Sequence, residues 1–200
     1  MNYYIHPTSN VGKRAIIGEN TRIWQFCSVL DDVYIGKNCN LGQNVYIETG
    51  VVIGDCVTIK NNVDLYKGVI CEDKVFLGSN CVFTNVKTPR SFISRKEEIE
   101  NTIVKKGATI GANATILCGC EIGEYAMVGA GSVVTKSIKA HNLVIGNPVK
   151  RVGYVCRCGV KLINLVGNKY TCKKCRKEYL AVAGEMRYIE KVEGSDIENT

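Results

Sequence analysis

The sequence predicts an all-β protein, built as a parallel β-helix with one ejected loop and a small C-terminal module. Three observations predict this fold class. Apolar residues recur at every sixth position through most of the chain, one long polar segment interrupts that repeat, and four cysteines cluster near the C-terminus. A period of six differs from the 3.6-residue period of an amphipathic helix and is typical of short strands joined by tight corners.

The composition fits a folded chain with one medium domain and a small second one. The chain has 200 residues, of which 46% are hydrophobic and 22% are charged. We expect a cytoplasmic protein with no membrane partner, because the sequence lacks an apolar run of about 18 residues and its N-terminus lacks signal-peptide features. The formal charge of +7 suits phosphate-bearing ligands as well as nucleic acid.

Each hexad supplies two inward-facing side chains, a large one and, two positions earlier, a small or β-branched one. Three hexads form one coil, so the repeat predicts about six coils. The large inward positions are Val11, Ile17, Ile23, Val29, Ile35, Leu41, Ile47, Ile53, Ile59, Leu65, Cys71, Leu77, Phe83, Val104, Ile110, Ile116, Ile122, Val128 and Val134.

The corners between strands need residues that tolerate a positive φ. Three positions after the large inward residues, the sequence is enriched in asparagine, aspartate and glycine, which adopt that conformation most readily. These predicted corner residues are Asn20, Asp32, Asn38, Asn44, Gly50, Asn62, Gly68, Asn80, Gly107, Asn113, Gly119 and Gly131.

Most of the scattered cysteines fall on inward positions of the repeat. Cys71 occupies a large slot, and Cys27, Cys39, Cys81 and Cys120 occupy small slots. We therefore interpret them as small core hydrophobes rather than as redox or catalytic thiols. The other two, Cys56 and Cys118, lie outside the inward slots and receive no interpretation.

The repeat fails between Phe83 and Val104, and we predict that residues 86–102 leave the helix as a loop. A loop mounted on a rigid scaffold often carries function. This one contains Arg90, Arg95 and Lys96, and guanidinium groups bind phosphate or carboxylate in bidentate fashion. The segment is thus predicted to bind a phosphate-rich ligand, the alternative being a solvated excursion without function.

The clustered cysteines form two pairs, Cys156 with Cys158 and Cys172 with Cys175, separated by thirteen residues. This spacing lets four thiolates converge on one tetrahedral metal, and zinc is the default in a reduced compartment. Iron or an unmetallated redox pair are the alternatives. Four thiolates leave no open coordination position, so we predict a structural, zinc-ribbon-like module at 154–192, followed by a flexible tail at 193–200.

The basic residues of this module also permit a nucleic-acid reading. However, residues 156–200 carry nine lysines and arginines against six acidic residues, and four thiolates on a divalent metal would cancel most of the excess. We therefore prefer a ribbon packed on the trimer, an assembly that the family resemblance described below implies, to a nucleic-acid partner.

Residues 1–153 resemble the left-handed β-helix hexapeptide-repeat acyltransferases. Hexads alone are shared with sugar O-acetyltransferases and γ-class carbonic anhydrases, but further motifs resemble N-acetyltransferases acting on nucleotide-linked 3-amino sugars, such as the UDP-2-acetamido-3-amino-2,3-dideoxyglucuronate type. Those motifs are Asn2-Tyr-Tyr-Ile-His-Pro-Thr8, Leu41-Gly-Gln-Asn-Val45, Asn61-Asn-Val63, Val82-Phe-Thr-Asn85, Pro89-Arg90 and the stretch 107–116, whereas Val144-Ile-Gly-Asn-Pro148 resembles the wider acyltransferase group.

This resemblance implies a left-handed helix and a homotrimer with sites between neighbouring subunits. It also implies acetyl-coenzyme A as the co-substrate, a nucleotide-sugar acceptor and a place in surface polysaccharide (O-antigen) biosynthesis. Departures from the family pattern at Lys60, Asp64 and Lys67 leave open the sugar configuration, the nucleotide base and the presence of a C5 carboxylate.

The resemblance assigns the catalytic role to Asn85, which is expected to hold the sugar amino group. A carboxamide oxygen can accept a hydrogen bond from the amine, and the departing thiolate can take the proton. The chain has only two histidines, His6 and His141, and both lie outside the central coils. We expect them to be structural or exposed, and two are too few for the three-histidine metal site of a γ-class carbonic anhydrase.

The resemblance also implies two sets of binding residues. We expect the substrate to contact Gln43, Asn61, Asn62, Tyr66, Arg90, Arg95 and Lys96 in one common cleft. We expect the coenzyme to contact Gly111, Ala126, Gly129 and Gly131 through its pantetheine, Lys136, Lys150 and Arg151 through its phosphates, and Asn147 and Pro148 near its adenine.

Two other functions fit the sequence. One is O-acetylation of a sugar or of serine, which the missing histidine base disfavours. The other is a non-catalytic β-helix scaffold that carries a zinc-ribbon binding module.

Overall fold

The structure is a computed structural model that describes residues 2–182 and 185–189. Within these ranges every regular element is a β-strand, which confirms the all-β prediction. The tail predicted at 193–200 lies outside the described residues. None of the described elements is a helix of the length and apolarity that crossing a membrane requires.

The strands of the repeat are two to four residues long. Before the loop they are β1 (Tyr4–Ile5), β2 (Asn10–Val11), β3 (Ile16–Ile17), β4 (Arg22–Ile23), β5 (Ser28–Val29), β6 (Tyr34–Ile35), β7 (Asn40–Leu41), β8 (Tyr46–Ile47), β9 (Val52–Ile53), β10 (Thr58–Ile59), β11 (Asp64–Leu65), β12 (Val69–Cys71), β13 (Phe76–Leu77) and β14 (Val82–Phe83). After it come β15 (Thr102–Val104), β16 (Thr109–Ile110), β17 (Thr115–Ile116), β18 (Glu121–Ile122), β19 (Met127–Val128), β20 (Val133–Val134) and β21 (Asn142–Ile145).

These strands form three parallel sheets, because each strand pairs with the third strand after it, except that β19 pairs with β21 at the end of sheet 1. Sheet 1 contains β1, β4, β7, β10, β13, β16, β19 and β21; sheet 2 runs from β2 to β20, and sheet 3 from β3 to β18. Ile23 pairs with Leu41, eighteen positions on. Across the loop Leu77 pairs with Ile110, so the coils resume in register after the excursion. The predicted parallel β-helix is confirmed.

The core follows the hexad pattern. From Ile23 to Val134, the large inward side chains are at most 1% exposed. Val11 and Ile17 are only partly buried. The five cysteines assigned to inward slots are all buried, and burial raises the pKa of Cys81 to about 12, which suits inert core thiols.

All twelve predicted corner residues have a positive φ. Residues of other types also have a positive φ, among them Phe26, Cys56 and Tyr125. Cys56 is therefore an exposed corner residue. Cys118, in contrast, is buried next to the loop. The coil geometry therefore imposes a positive φ at the corners even on residue types for which that conformation is unfavourable.

The chain ends in an antiparallel module. Strand β22 (Lys150–Tyr154) turns back along β21, and β23 (Ile163–Asn164), β24 (Lys169–Thr171), β25 (Glu178–Val182) and β26 (Glu185–Ile189) form a separate four-stranded sheet. Its small core contains Tyr154, Cys156, Leu162, Cys172, Tyr179 and Met186.

Aromatic and cationic contacts join this module to the end of the β-helix. The His141 ring stacks on Tyr125 with a centroid distance of 5.3 Å and meets Tyr179 edge-on at 5.2 Å. The Arg157 guanidinium lies 5.1 Å from the centroid of the Tyr125 ring. The module therefore packs on the end of the helix of the same chain.

Candidate functional site

A cleft of about 300 Å³ lies at the foot of the ejected loop, and we call it the loop cleft. Residues 84–101 leave the coil path between β14 and β15. The lining residues are Glu48, Asn85, Val86, Pro89, Arg90, Ile93, Arg95, Lys96 and Ile99. Four of the predicted site residues, Asn85, Arg90, Arg95 and Lys96, thus come together here.

Asn85 stands two residues after the end of β14, where the chain turns into the loop. Its backbone carbonyl accepts a hydrogen bond of 3.1 Å from the Glu100 N–H, which ties the two ends of the loop together. The side chain is half-buried, and its carboxamide has no hydrogen-bond partner among the described residues. A polar group in that state can bind a ligand that enters the cleft.

The cationic side chains of the loop differ in whether a carboxylate of the same chain already pairs with them. Lys87 pairs with Glu100 at 2.7 Å at the base of the loop, and Arg95 binds both carboxylate oxygens of Glu98 at 2.8 Å. Arg90 and Lys96 have no carboxylate partner among the described residues. These two cations are therefore the ones most available to an anionic ligand.

The remaining predicted substrate residues lie on two different edges of the helix. Tyr66 follows β11 on the edge between sheets 2 and 3, the same edge as Asn85. Gln43, Asn61 and Asn62 follow β7 and β10 on the edge between sheets 1 and 2. Within one chain the two groups do not share a cleft, because the whole of sheet 2 separates them, and a common cleft between neighbouring subunits stays a prediction.

Asn61 and Asn62 also have structural contacts. The Asn61 Oδ1 accepts a hydrogen bond of 3.1 Å from the Gln43 N–H in the preceding coil. Asn62 has a φ of 58° and lies in a ladder in which Asn44 donates to Asn62 at 3.1 Å and Asn62 donates to Asn80 at 3.0 Å. Both carboxamides thus link successive coils, as buried or repeated polar groups do in β-helices.

Glu48, which no motif of the sequence singles out, is the one acidic residue lining the loop cleft among the described residues. Its Oε2 accepts a hydrogen bond of 2.8 Å from the Lys67 N–H. The eighteen-residue period of the coils does place Glu48 there, because it lies eighteen positions before Tyr66 and hence on the same edge. Burial, followed by the charge of Asp64, raises the pKa of Tyr66, so this phenol stays protonated near neutral pH.

The predicted pantetheine surface is only partly present. Gly129 and Gly131 lie on the edge between sheets 1 and 2, and a Cβ at Gly131 would meet no atom within 4 Å. At Gly111 a Cβ would lie 2.4 Å from the Ala130 nitrogen, so the close approach of coils already requires glycine there. The prediction for the Ala126 side chain is wrong, because this residue is 1% exposed and packs in the core.

The cations predicted for the coenzyme phosphates do converge. Lys136, Lys150 and Arg151 line a cleft of about 470 Å³ at the C-terminal end of the helix, together with Lys139. We call it the end cleft. The Arg151 guanidinium lies 4.7 Å from the centroid of the Tyr154 ring and donates a hydrogen bond to the hydroxyl of the same residue. Asn147 and Pro148 follow β21 on the edge between sheets 1 and 2.

Neither histidine lines the loop cleft. His141 is 5% exposed, its Nδ1 lies 2.8 Å from the Val155 carbonyl oxygen, and burial lowers its pKa. The His6 Nδ1 lies 2.9 Å from the Thr8 hydroxyl near the first coil. Both histidines have local structural contacts, and neither is placed to act as a base beside Asn85.

The four C-terminal cysteines form one cluster in which all the sulfur atoms lie within 4.8 Å of one another. The Sγ atoms of Cys156 and Cys175 are 3.4 Å apart, and those of Cys158 and Cys172 are 3.5 Å apart. Disulfides need a separation of about 2.05 Å, whereas a tetrahedral zinc with Zn–S bonds of about 2.3 Å places its sulfurs about 3.8 Å apart. The cluster therefore fits a four-thiolate metal site.

The thiols of this cluster differ in acidity. Burial raises the pKa of Cys172, but hydrogen bonds from the backbone of Cys175 and Lys174 outweigh it and lower that pKa to about 7. Burial raises the pKa of Cys156 to about 12. A metal binds the thiolate form of these side chains.

Two family models match the repeat. The model described as bacterial transferase hexapeptide (six repeats) matches residues 14–49 and 101–136, and the hexapeptide repeat of succinyl-transferase matches residues 32–67. The first matches both sides of the ejected loop.

Curated proteins show similar segments. The chain is 54% identical over 83 residues to dTDP-3-amino-3,6-dideoxy-alpha-D-galactopyranose 3-N-acetyltransferase of Aneurinibacillus thermoaerophilus. The matching segment covers 42% of each protein. It is 51% identical over 49 residues to serine acetyltransferase 4 of Arabidopsis thaliana, covering 24% of this chain and 14% of that one. The chain thus spans less than half the length of either relative.

The fold is also found among solved structures. A hexapeptide-repeat-containing acetyltransferase of Vibrio cholerae O1 biovar eltor, complexed with acetyl-coenzyme A, superimposes with a TM-score of 0.52 at 22% identity, covering 58% of this chain and 67% of that chain. At this identity the likeness concerns the fold. The hexads, the coil register and the two family models together show that the chain contains the bacterial transferase hexapeptide repeat on both sides of the ejected loop.

Proposed function

We propose that the protein is an acetyl-coenzyme A-dependent N-acetyltransferase that acts on the amino group of a nucleotide-linked 3-amino sugar. The observation that carries the proposal is the loop cleft, where the unpartnered Asn85 carboxamide lies beside Arg90 and Lys96, with no histidine in the lining. The 54% identical segment shared with a dTDP-3-amino-sugar N-acetyltransferase supports this substrate class.

The chemistry assigned to Asn85 is orientation of the nucleophile. Its Oδ1 accepts a hydrogen bond from the neutral amine, which directs the nitrogen lone pair towards the thioester carbonyl. The C–N bond forms as the C–S bond breaks, and the proton lost by nitrogen ends on the coenzyme sulfur. Arg90, Arg95 and Lys96 bind the diphosphate of the nucleotide sugar, or a carboxylate on the sugar itself.

A homotrimer completes this site. Gln43 lies on the edge between sheets 1 and 2, and Asn85 lies on the edge between sheets 2 and 3. Both can reach one substrate when the first edge of one subunit faces the second edge of its neighbour, as a closed ring of heterologous contacts provides. Gly129 and Gly131, on the first edge, would then border the same cleft.

The cysteine cluster holds a structural zinc in this proposal. About thirty residues cannot form a stable core alone, and a four-thiolate metal site supplies the missing free energy. The module then caps the end of the helix and fixes β22, which carries Lys150 and Arg151. We place the enzyme in the reducing cytoplasm, in the synthesis of a surface polysaccharide, and we assign it no nucleic-acid partner.

O-acetylation is the second candidate function. The segment 51% identical to serine acetyltransferase 4 favours it. A hydroxyl nucleophile needs a base more than an amine does, however, and no histidine lines the loop cleft. A non-catalytic scaffold is the third.

The deciding experiment measures thiol release from acetyl-coenzyme A. The acceptors are UDP- and dTDP-linked 3-amino sugars, with and without a C5 carboxylate, and the controls are the corresponding 3-hydroxy sugars and serine. Turnover confined to amino sugars supports the proposal and identifies the substrate. Turnover with the hydroxyl acceptors points to O-acetylation, whereas a folded protein that neither turns over nor binds acetyl-coenzyme A in calorimetry is a scaffold.

A further inference from the structure

Glu48 brings a negative charge to the loop cleft, where the other charged lining residues of the described chain are cations. It follows β8 on the edge between sheets 2 and 3, whereas Arg90, Arg95 and Lys96 belong to the ejected loop. Glu48 is half-buried, and its carboxylate has no cationic partner among the described residues. The cleft therefore presents an unpaired acid on its helix side and cations on its loop side, which is complementary to a ligand that carries both charges.

The fold uses one oxygen of Glu48 but does not need its charge. The Oε2 atom accepts a hydrogen bond of 2.8 Å from the Lys67 N–H in the next coil. Two coils further on, at the equivalent position, the Thr84 hydroxyl accepts a hydrogen bond of 2.9 Å from the Cys118 N–H. A neutral acceptor thus suffices at this corner. Packing explains neither the negative charge of Glu48 nor its Oε1, which has no hydrogen-bond partner in the described part of the chain.

The Glu48 carboxylate lies about one coil from Asn85 along the helix axis. Its Oε2 contacts the backbone of Lys67, which is eighteen positions before Asn85 and therefore occupies the equivalent position one coil earlier. Strands of these coils pair, Asp64 with Val82, and paired strands are about 4.8 Å apart. Two acceptors at about that separation can share one ammonium group, because it has three donors that each reach about 2.8–3.0 Å.

The tyrosines near Glu48 do not supply a counterion. The rings of Tyr46 and Tyr66 lie 6.1 Å apart, measured between their centroids. Burial, followed by the charges of Glu48 and Asp64, raises the pKa of Tyr46, so this phenol stays neutral near neutral pH. This side of the cleft therefore has a negative potential that attracts a cationic group.

We infer that Glu48 binds the amino group of the acceptor sugar in its ammonium form and so makes the site select an amine over a hydroxyl. The inference rests on the proposed function and deepens it, since it names the residue that recognises the amino group. Arg90 and Lys96 bind the anionic part of the same acceptor. A sugar hydroxyl is uncharged, so its hydrogen bond to the carboxylate is weaker than that of an ammonium group.

Glu48 is a positioning residue that acts before the chemical step. The ammonium group that it binds has one proton more than the amine that attacks, and this proton passes to bulk water. The neutral amine, hydrogen-bonded to Asn85, then attacks the thioester carbonyl. The C–N bond forms, the C–S bond breaks, and the second proton ends on the coenzyme sulfur.

Calorimetry on the full chain tests the inference with two pairs of probes that differ only at C3 of the sugar. The first pair is dTDP-3-amino-3,6-dideoxy-α-D-galactose and dTDP-6-deoxy-α-D-galactose. The second is UDP-3-amino-3-deoxy-α-D-glucose and UDP-α-D-glucose. We expect the wild type to bind the amino member of at least one pair about tenfold more tightly than the hydroxyl member.

The variant Glu48→Gln removes the charge and keeps an oxygen that can accept the Lys67 N–H. We expect it to lose the preference for the amino sugar, to bind the hydroxyl sugar as the wild type does and to keep the melting temperature. The matched control is Glu19→Gln, which changes an exposed acid on the edge between sheets 3 and 1. This control should retain the full preference.

Steady-state kinetics give a second readout. Glu48→Gln should raise the KM of the amino sugar about tenfold and leave the KM of acetyl-coenzyme A unchanged. A preference that persists in Glu48→Gln, or a wild type that binds both members of each pair equally or not at all, overturns the inference. A lower melting temperature together with equal losses for amino and hydroxyl sugars would show a structural role and also overturn it.

The inference and the proposed function can fail separately. If Glu48→Gln acetylates amino sugars with the wild-type KM, the inference is overturned and the enzyme reaction stands. If a preference for the amino sugar depends on Glu48 in a protein without turnover, the recognition of the amino group stands and the proposed function fails.

Discussion

Asparagine performs three different tasks in this chain, and its position in the hexad decides which. Asn62 is a corner residue whose carboxamide joins neighbouring coils. Asn85 lies where the loop departs and keeps its carboxamide free, while Asn142 occupies an inward slot that alanine fills in the coil below. The same functional group thus links coils where partners repeat every eighteen residues, and has no hydrogen-bond partner among the described residues at Asn85 or, for its oxygen, at Asn142.

At Asn85, replacement by alanine should lower kcat by about 100-fold, because the amine loses the hydrogen bond that orients it. The dissociation constant of acetyl-coenzyme A should be unchanged, since in the proposed mechanism Asn85 holds the acceptor and not the coenzyme. Steady-state kinetics and calorimetry measure the two effects. An exposed asparagine far from the cleft, Asn10, provides the matched control as Asn10→Ala. Equal losses in turnover and coenzyme affinity would show a merely structural role.

At His141, the lowered pKa predicts acid sensitivity. Burial favours the neutral imidazole, so below the usual pKa near 6.5 the unfolded chain binds a proton that the folded protein does not. The free energy of unfolding should therefore decrease as the pH falls from 7.5 to 5.5. Chemical denaturation should show this slope reduced in His141→Gln and kept in His6→Gln. An unchanged slope in His141→Gln would exclude this histidine as the cause.

At the scale of elements, corners and inward slots make each coil depend on the next. Two-residue strands cannot be stable alone, so each gains its stability from partners eighteen positions away. Asp31, Asp55 and Asp73 each accept a hydrogen bond from a backbone N–H of the preceding coil, at 3.0, 2.7 and 2.9 Å. Asn61 does the same at 3.1 Å, which marks its position as part of the coil-to-coil linkage.

Substitutions at Asn62 distinguish how much the positive φ and the side-chain ladder each contribute to the free energy of unfolding. Asn62→Ala should destabilise the protein by about 1–2 kcal/mol, because alanine resists the left-handed conformation and the side-chain ladder is lost. Asn62→Gly loses only the ladder and should cost less. Urea denaturation of both variants measures the difference. If glycine and alanine destabilise equally, the ladder and not the positive φ dominates.

The C-terminal module should depend on its metal. Elemental analysis is expected to find about one zinc per chain, and Cys172→Ser should release it, because four thiolates are needed to close the site. The variant Cys56→Ser changes an exposed thiol at a corner of the helix and should retain the metal. A wild-type protein that is folded and free of metal would overturn the zinc assignment.

At the scale of the whole molecule, the two edges that flank sheet 2 keep the proposed substrate residues of one chain apart. Gln43 and Asn85 lie on opposite sides of that sheet. The ejected loop also exposes Phe92 to 83%, an apolar ring that stands clear of its own core. A neighbouring subunit would cover such a ring and bring the missing edge to the cleft.

Mixing two inactive variants tests this arrangement. Asn85→Ala and Gln43→Ala should each be nearly inactive, but subunits exchanged in equal amounts should recover about a quarter of the wild-type activity, because that fraction of interfaces pairs an intact cleft with an intact edge. Each variant denatured and refolded alone is the control. No recovery in trimers shown by mass spectrometry to be mixed would place both residues in one subunit's site.

Several features of this protein follow from the sequence alone. The six-residue period determines the strands, the inward side chains and the corners, because each coil repeats the same local geometry and stacks on its neighbour. The pairs Cys156/Cys158 and Cys172/Cys175 likewise predict the metal cluster, since closely spaced ligands need only two short turns to converge. The left-handed sense of the helix, which the resemblance implies, stays a prediction.

Other features were decided only by the tertiary structure. The separation of Gln43 from Asn85, the burial of Ala126 and the unpartnered oxygen of Asn142 all depend on which atoms surround a side chain after the coils have stacked. Glu48 reaches the cleft because the loop folds back over its edge. A periodic sequence predicts which residues face inward. It does not predict the contacts at the loop and at the ends of the helix, because the segments that make them do not follow the period.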